Sequence, residues 1–272
     1  MIVPLVANAD FTSFTVGTPL PLTGRTETAW DGEGLVRADG GFIAVTVETQ
    51  PLIERFDASG MRIGSITVPA HFSMQARGNK GLESLALSPS GRFLFTANEN
   101  ALLADGPPST KERGTAVRIL KHDLVTNADV ELAYRTEPLG AGGATGDMGV
   151  SDLAALDDDV LLVLERGFQP DYGNTVRVFE VDLRKGAHVE SLAALSDATP
   201  FLTKTLLVDV GTLPPGNATH PGPEPNAILE NYESLALGPT LGDGRRLLFL
   251  TSDDNASATQ LPRVLVLGVL GL

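Results

Sequence analysis

A sequence pattern that recurs four times constrains the fold of this chain more than any other feature of its sequence. Each copy begins with an acidic residue, continues through a hydrophobic stretch, a short turn and a second hydrophobic stretch, and ends on another acid. The acid pairs are Glu33 with Glu48, Glu83 with Glu99, Asp152 with Glu165, and Glu233 with Asp253. Such a repeat predicts four β-hairpins built on one plan.

The residues halfway between the two acids of each pair are turn formers. These midpoints fall at Gly40–Gly41, Gly91, Asp158–Asp159 and Asp243. Gly and Asp accept the backbone dihedrals that reverse a chain, and residues equidistant from a hairpin turn lie at the same end of the hairpin. Each unit is therefore expected to hold two acids together, at the end away from its turn.

The distribution of the other residues predicts an all-β chain. The 29 Gly and 18 Pro exceed ordinary usage, and they separate short runs rich in Val, Ile, Leu, Phe and Thr, as in strands joined by turns. The first acids are spaced irregularly, by 50, 69 and 81 residues. This spacing favours a β-propeller with blades of four antiparallel strands separated by insertions, and a β-sandwich is the alternative. A repeat that continues along the chain also predicts a single domain over residues 1–272.

If the four hairpins surround one axis, their acid pairs meet at one end of that axis. Carboxylates this close together resist ionisation unless a cation or hydrogen-bond donors compensate, and several hard oxygen ligands favour calcium. The predicted metal ligands are the first acids, Glu33, Glu83, Asp152 and Glu233. The candidate catalytic bases are the second acids, Glu48, Glu99, Glu165 and Asp253. The alternative is that the acids only keep strand edges soluble.

The charge of the chain limits its partners. A formal net charge of −14 argues against nucleic acid and anionic membranes, because neither is approached without basic patches. An anionic ester would need bound cations or local basic residues, and the candidates for substrate binding are Arg77, Lys80 and Arg166. No apolar run reaches membrane-spanning length, so no membrane insertion is expected. The sequence leaves the oligomeric state open.

Several kinds of chemistry are excluded by composition and motif. The chain has no cysteine, which excludes thiol nucleophiles, zinc fingers and iron–sulfur clusters. It also lacks a nucleophile elbow, an H-E-x-x-H motif and a P-loop, and its four histidines lie in unrelated contexts. Carboxylates and bound metal must therefore carry any chemistry.

Three stretches resemble one known family. Asn79–Gly91, Leu162–Phe168 and Glu230–Pro239, the last followed by Ser252–Asn255, are similar to the phytase-like family, described as esterase-like activity of phytase. The resemblance extends from about Asp31 to the end of the chain. It implies a β-propeller, phosphoesterase or esterase activity, and an exported bacterial protein of the periplasm or extracellular space. It also implies an export signal and a further first blade, so this chain is expected to lack part of an N-terminal blade.

Three functions are compatible with these features. The first is a calcium-dependent hydrolase of phosphate or carboxylic esters. The second is a non-catalytic propeller that presents its loops to a protein or glycan and uses calcium structurally. The third, by analogy of fold, is a sugar-lactone hydrolase. Inserts at 101–114, 137–149 and 211–231 are long enough to form a substrate-facing surface, or are tolerated surface insertions.

Propellers usually close their ring by pairing strands from the two ends of the chain. The candidates for that pairing are Phe11–Val16 and Val264–Val269. An unpaired edge would favour instability or oligomers.

Overall fold

The computed structural model describes residues 1–25, 30–38, 43–48 and 51–272, and these form an all-β protein. Four antiparallel sheets follow one another along the chain and are arranged as a four-bladed β-propeller. The fold class predicted from the sequence is confirmed. No helix in these ranges is both long enough and apolar enough to cross a membrane.

The strands are assigned as follows. An N-terminal hairpin consists of β1 (Leu5–Ala7) and β2 (Phe14–Val16). Blade 1 contains β3 (Gly32–Arg37), β4 (Ile43–Val47), β5 (Leu52–Phe56) and β6 (Arg62–Thr67). Blade 2 contains β7 (Ala86–Leu87), β8 (Phe93–Ala97), β9 (Ala116–Asp123) and β10 (Asp129–Arg135). Blade 3 contains β11 (Asp147–Ala155), β12 (Val160–Gln169), β13 (Gly173–Asp182) and β14 (Lys204–Asp209). Blade 4 contains β15 (Tyr232–Thr240), β16 (Arg245–Ser252) and β17 (Val264–Leu270).

Helical structure in the described ranges is confined to short connections. A one-turn helix, α1 (His71–Met74), joins blade 1 to blade 2, and two 3-10 turns, Leu183–Lys185 and Val210–Thr212, flank β14.

Apolar side chains from adjacent sheets form the core between the blades. One buried cluster joins blades 2 and 3 through residues such as Phe95 and Leu153, and another joins blades 3 and 4 through Val176 and Leu248. The first strands of successive blades contact one another, β3 with β7, β7 with β11, and β11 with β15. The hairpin ends that carry the acids therefore meet around one axis.

Three of the four predicted hairpin turns are in the described residues, and they lie at the predicted midpoints. Gly91 has a φ of +72°, which a residue with a Cβ rarely adopts, and its N–H donates to the Ser88 carbonyl. The second and third turns lie between β11 and β12, at Asp158–Asp159, and between β15 and β16, at Asp243. The fourth predicted turn, Gly40–Gly41, lies outside the described residues.

The N-terminal hairpin contacts blade 4 through aromatic rings. The Phe11 and Phe14 rings lie 5.8 and 6.1 Å from the Phe249 ring between centroids. Because β2 pairs with β1 and β17 pairs with β16, no ladder in the described ranges joins Phe11–Val16 to the last strand, and the predicted closure by strand pairing is not formed there. Blade 1, the first along the chain, has four strands, whereas blade 4 has three.

Candidate functional site

An open cavity of about 470 Å³ lies where the hairpin ends meet, and all four blades contribute to it. Its lining consists entirely of charged residues and asparagines: Asp31, Glu33, Asn79, Lys80, Glu83, Glu99, Arg166, Asn231, Glu233, Asp253 and Asn255. Six carboxylates face two cationic side chains, which leaves a formal excess of four negative charges among the described residues that line it. We refer to this space as the central cavity.

Interrupted ladders bring the acids of blades 1, 2 and 4 to this end of the propeller, where all of them except the buried Glu48 line the cavity. The second acid of each hairpin is held by a backbone hydrogen bond, for example from Glu99 N to the Gly81 carbonyl at 2.9 Å. In blade 4 the first acid, Glu233, is the extra residue between the pairs Tyr232–Ser252 and Ser234–Thr251. A β-bulge of this kind re-aims one side chain out of the ladder, so both acids of the hairpin reach the same end.

Blade 3 departs from this plan by one residue. Its pairs are Gly149–Arg166, Val150–Glu165 and Asp152–Leu164, so Ser151 and Arg166 occupy the positions that acids occupy in the other blades. A shift of one residue moves a side chain to the opposite face of a strand. The sequence contained a signal for this, because Ser-Asp-Leu-Ala at 151–154 aligns with Glu-Ser-Leu-Ala at 83–86 and 233–236.

Asp152, predicted to be a metal ligand, lies outside the lining of the central cavity. Its carboxylate accepts backbone hydrogen bonds from Leu235 at 2.7 Å and Leu153 at 2.8 Å. Burial raises the pKa of Asp152 to about 7, although the backbone donors, which include Leu85, oppose the shift. This carboxylate joins blade 3 to its neighbours instead of facing a bound ion, so we correct the predicted ligand set.

Glu165, predicted to be a catalytic base, is also directed away from the cavity. Its side chain is buried and accepts hydrogen bonds from Lys204 Nζ at 2.6 Å, from the Tyr134 hydroxyl at 2.5 Å and from Glu137 N at 2.8 Å. The carboxylate is thus fully engaged inside the protein, and no substrate has access to it. The physical reason is the register difference of blade 3, which places Arg166 instead of Glu165 at the central cavity.

Arg77, predicted to bind substrate, holds an insert in place. Its Nε donates to the Ala101 carbonyl at 2.9 Å and its Nη2 donates to the Gly106 carbonyl. Both acceptors belong to the insert at 101–114. Arg77 does not line the central cavity, whereas the other two predicted substrate-binding residues, Lys80 and Arg166, do.

Three carboxylates of blade 1 lie close together. Asp31, Glu33 and Glu48 each offer an oxygen within 4.8 Å of the others, and we call them the blade 1 acid cluster. In the described part of the chain, none of the three forms an ion pair within 4 Å. Burial, followed by the charges of Asp31 and Glu48, raises the pKa of Glu33 to about 7. A hard cation with oxygen ligands would relieve this repulsion.

Glu48 supplies a second indication of a ligand in this cluster. Its side chain is 5% exposed, and its Oε1 accepts a hydrogen bond from Gly81 N at 2.7 Å. The other oxygen, Oε2, is buried and has no hydrogen-bond partner among the described residues. A buried carboxylate oxygen without a donor is costly, so the arrangement favours an ion at this position. Asp31, which the sequence reasoning left out of the ligand set, belongs to the same cluster.

Two cationic side chains of the cavity form four ion pairs with carboxylates of blades 2, 3 and 4. Lys80 Nζ lies 2.8 Å from Glu99 and 3.4 Å from Asp147, while Arg166 Nη2 lies 3.0 Å from Glu233 and 3.8 Å from Glu99. We call Lys80 and Arg166 the cationic wall. Although burial opposes it, the Glu99 carboxylate raises the pKa of Lys80, so this ammonium group stays charged. The Nε of Arg166 is buried without a hydrogen-bond partner.

The remaining acids of the cavity differ in their surroundings. Burial, followed by the charge of Glu99, raises the pKa of Glu83 far above its usual range, which favours the protonated carboxyl. Burial also raises the pKa of Glu233, while Arg166 opposes that shift. Asp253 is exposed, and its Oδ1 accepts one hydrogen bond, from Asn255 N at 3.1 Å.

The asparagines near the acids divide into two groups. Asn255 lines the cavity, as do Asn79 and Asn231, and their side-chain oxygens are available as neutral ligands. Asn98 instead accepts a hydrogen bond from Arg118 N, and Asn100 donates to the Asp147 carboxylate at 3.0 Å. These two side chains stabilise the surrounding loops.

Comparison with known proteins adds the family. A family model described as "Phytase-like: Esterase-like activity of phytase" matches residues 4–256, while a comparison with curated proteins gave no match. The chain is similar to a protein from Lactobacillus plantarum whose crystal structure is known. The sequence identity is 17% and the TM-score is 0.40, and the alignment covers 98% of this chain and 66% of the other. The chain thus spans less than two thirds of that protein, and a likeness this weak supports no argument here. Because the family model covers most of the sequence, the chain belongs to the phytase-like family.

Proposed function

We propose that this protein is a calcium-dependent hydrolase of esters, and that phosphate esters are its best-fitting substrates. The observation that carries the proposal is a pair of buried, unsatisfied groups, one in the blade 1 acid cluster and one in the cationic wall. Glu48 Oε2 is the buried acceptor and Arg166 Nε is the buried donor, and neither has a hydrogen-bond partner among the described residues. A cation satisfies the first group and an oxyanion satisfies the second.

The blade 1 acid cluster and the cationic wall complement the two opposite charges of a calcium ion and a phosphate ester. Asp31, Glu33 and Glu48 would hold the calcium ion, whose chemistry when bound is to polarise the phosphoryl oxygens and neutralise charge. Lys80 and Arg166 would orient the phosphate from the other side, because guanidinium and ammonium groups bind phosphate oxygens well. An anionic substrate can then enter a cavity that is otherwise strongly negative.

Asp253 is the candidate general base. Of the four acids predicted for this role, Glu99 and Asp253 line the cavity, but Glu99 is held by Lys80, whereas Asp253 is exposed and forms no ion pair in the described ranges. Asp253 would take a proton from water as the water oxygen bonds to phosphorus. The bond from phosphorus to the alcohol oxygen breaks, and this oxygen takes up the proton that Asp253 releases, directly or through water, so that the alcohol leaves neutral and the carboxylate is restored.

The test combines binding and turnover in one set of samples. Calcium affinity is measured by calorimetry on chelator-stripped protein, and hydrolysis of p-nitrophenyl phosphate and p-nitrophenyl acetate is followed with and without calcium. The double variant Glu33→Gln/Glu48→Gln should lose both calcium binding and turnover. Glu190→Gln, a change at a 43%-exposed acid outside the cavity lining, should keep both. Full turnover in the double variant would refute the proposal.

A non-catalytic role is the second candidate, and one observation favours it. No histidine, serine or threonine is among the described residues that line the central cavity, and its ion pairs join blades 2, 3 and 4 in the manner of structural staples. On this alternative, calcium raises the melting temperature while phosphate esters, carboxylic esters and sugar lactones all remain uncleaved. Lactone opening without phosphate release would instead support the analogy with lactone hydrolases.

A further inference from the structure

A smaller pocket of about 90 Å³ lies beside the central cavity, between blades 3 and 4. Its lining includes Phe168, Pro170, Asn174, Pro223 and Gln260, and we call it the ring pocket. Phe168 is 42% exposed, so its side chain is available to a ligand. The two prolines add rigid apolar surface next to it.

The ring pocket adjoins the cationic wall through strand β12. Arg166 and Phe168 are two residues apart on this strand, so their side chains are on the same face. Asp147 lies directly opposite Phe168 in the ladder, and its carboxylate is 3.4 Å from Lys80 Nζ in the cavity. Side chains directly opposite in a ladder are close neighbours, so Phe168 stands at the rim above the cationic wall.

A second connection passes through the loop between β16 and β17. Asn255 lines the central cavity and Gln260 lines the ring pocket. The side chains of these two residues are hydrogen-bonded, from Asn255 Nδ2 to Gln260 Oε1 at 3.2 Å. The linings of the two spaces are therefore in direct contact through these two side chains.

Asn174 provides a polar feature that is typical of a ligand site. Its side chain is 1% exposed, and its Nδ2 donates to Glu224 Oε1 at 2.7 Å, which fixes the orientation of the amide. The Oδ1 atom is then a buried acceptor without a partner. A hydroxyl or N–H group of a ligand would satisfy this acceptor.

We propose that the ring pocket binds the leaving group of the ester and that this group contains a ring. A ring can pack against Phe168 and the prolines, and a polar substituent on it can donate to Asn174 Oδ1, whereas a short open-chain alkyl group reaches neither. The inference rests on the proposed function, because the anionic end of the ester is held by Lys80 and Arg166. The preferred substrates are thus phosphate esters of ring-bearing alcohols or phenols.

The test compares two phosphonates that share one anionic head, phenylphosphonate and methylphosphonate. Calorimetry is performed on the calcium-saturated protein at a pH where both are dianions. Phenylphosphonate should bind about three- to tenfold more tightly, as expected from the energies of aromatic contacts. Phe168→Ala should remove this difference and leave methylphosphonate affinity unchanged, which also shows that the variant is folded. Val125→Ala, at a 73%-exposed residue in the turn between β9 and β10, should keep the difference.

Each result separates this inference from the proposed function. Equal affinities in the unaltered protein, or a difference that survives Phe168→Ala, would overturn the ring pocket while the anion site stands. Calcium binding without binding of either phosphonate would overturn the anion site, and the ring pocket with it.

Discussion

The two halves of the central cavity differ in how their carboxylates are compensated. The blade 1 acid cluster contains three carboxylates within 4.8 Å of one another and no ion pair in the described ranges. Glu99 of blade 2 and Glu233 of blade 4, by contrast, contact Lys80 and Arg166 at 2.8 and 3.0 Å. In the described part of the chain, the acids are thus divided into a half without an ion pair and a half in which two carboxylates are paired.

This difference originates in one strand register. Arg166 is the blade 3 counterpart of Glu99 and Asp253, so a positive charge stands where the repeat elsewhere has a negative one. On the proposed function, the calcium ion is therefore expected on the blade 1 side and the phosphate group next to Arg166. The lesson is that a count of carboxylates overestimates the number of metal ions when the fold supplies its own cations.

The largest expected effect comes from neutralising the half without a cation. Glu33→Gln/Glu48→Gln should weaken calcium binding by more than about 100-fold, since even the loss of an outer-shell partner costs about 10–100-fold. Glu233→Gln should weaken it by less than about tenfold, because Arg166 already compensates that carboxylate. Calorimetry with calcium measures both. Equal losses in the two variants would show that the halves do not differ.

Removing the charge of Arg166 should leave carboxylates on the other side of the cavity uncompensated, as in the blade 1 acid cluster. Arg166→Gln leaves Glu99 and Glu233 without this partner, and the free energy of unfolding in chelator should fall by about 1–3 kcal/mol. Added calcium should recover part of this loss, because the freed carboxylates then bind the ion. Urea denaturation with and without calcium tests the prediction. A variant as stable as the unaltered protein in chelator would contradict it.

Asp152 provides a control for the effect of neutralising an acid of these hairpins that lies outside the cavity. Asp152→Asn places an N–H group against backbone N–H donors and should lower the free energy of unfolding by about 1–2 kcal/mol. Because this carboxylate faces Leu235 N and not the cavity, calcium affinity should remain unchanged. A calcium affinity reduced as far as in Glu33→Gln/Glu48→Gln would return Asp152 to the ligand set.

The smallest expected effect is a pH dependence that calcium reduces. The pKa values of Glu33 and Asp152 are both raised to about 7 in the folded protein, so between about pH 5 and 8 the folded state binds more protons than the unfolded state. Stability must then decrease as pH rises through this range. In chelator, each of these two carboxylates should lower the free energy of unfolding by on the order of 1 kcal/mol from pH 6 to pH 8.

Calcium should decrease that slope, because the ion replaces the proton at Glu33 but not at Asp152. The raised pKa of Lys80 adds stability that is lost only at much higher pH, so it does not affect this window. Urea titrations at the two pH values provide the measurement. Stability that increases with pH in chelator would show that Glu33 and Asp152 do not have raised pKa values in the folded protein.

Much of the architecture was predictable from local chemistry. Gly91, Asp158–Asp159 and Asp243 mark turns because their backbone preferences are independent of the rest of the fold. The family could be assigned from contiguous motifs such as Asn79–Gly91, and the family model confirms that assignment. The acids of three hairpins also line or adjoin the cavity as the spacing indicated.

The remaining site residues depended on contacts between distant segments. Equidistance from a turn does not show which residue is the extra one at a bulge, and in blade 3 that residue is Ser151, whereas in blade 4 it is the acid Glu233. Arg77 carried the right charge for substrate binding, but its partners are carbonyls of an insert more than twenty residues away. No local pattern reports such a contact.

The sequence by itself determined the all-β class, the hairpin repeat, the family and an excess of acid at one end of the hairpins. These follow from alternation, turn chemistry and composition, which act over a few residues. Only the tertiary structure decided which carboxylates share a cavity, which are buried against backbone donors such as Leu235 N, and that Arg166 compensates Glu233. Those outcomes depend on register and on packing between blades, where a shift of one residue reverses the direction of a side chain.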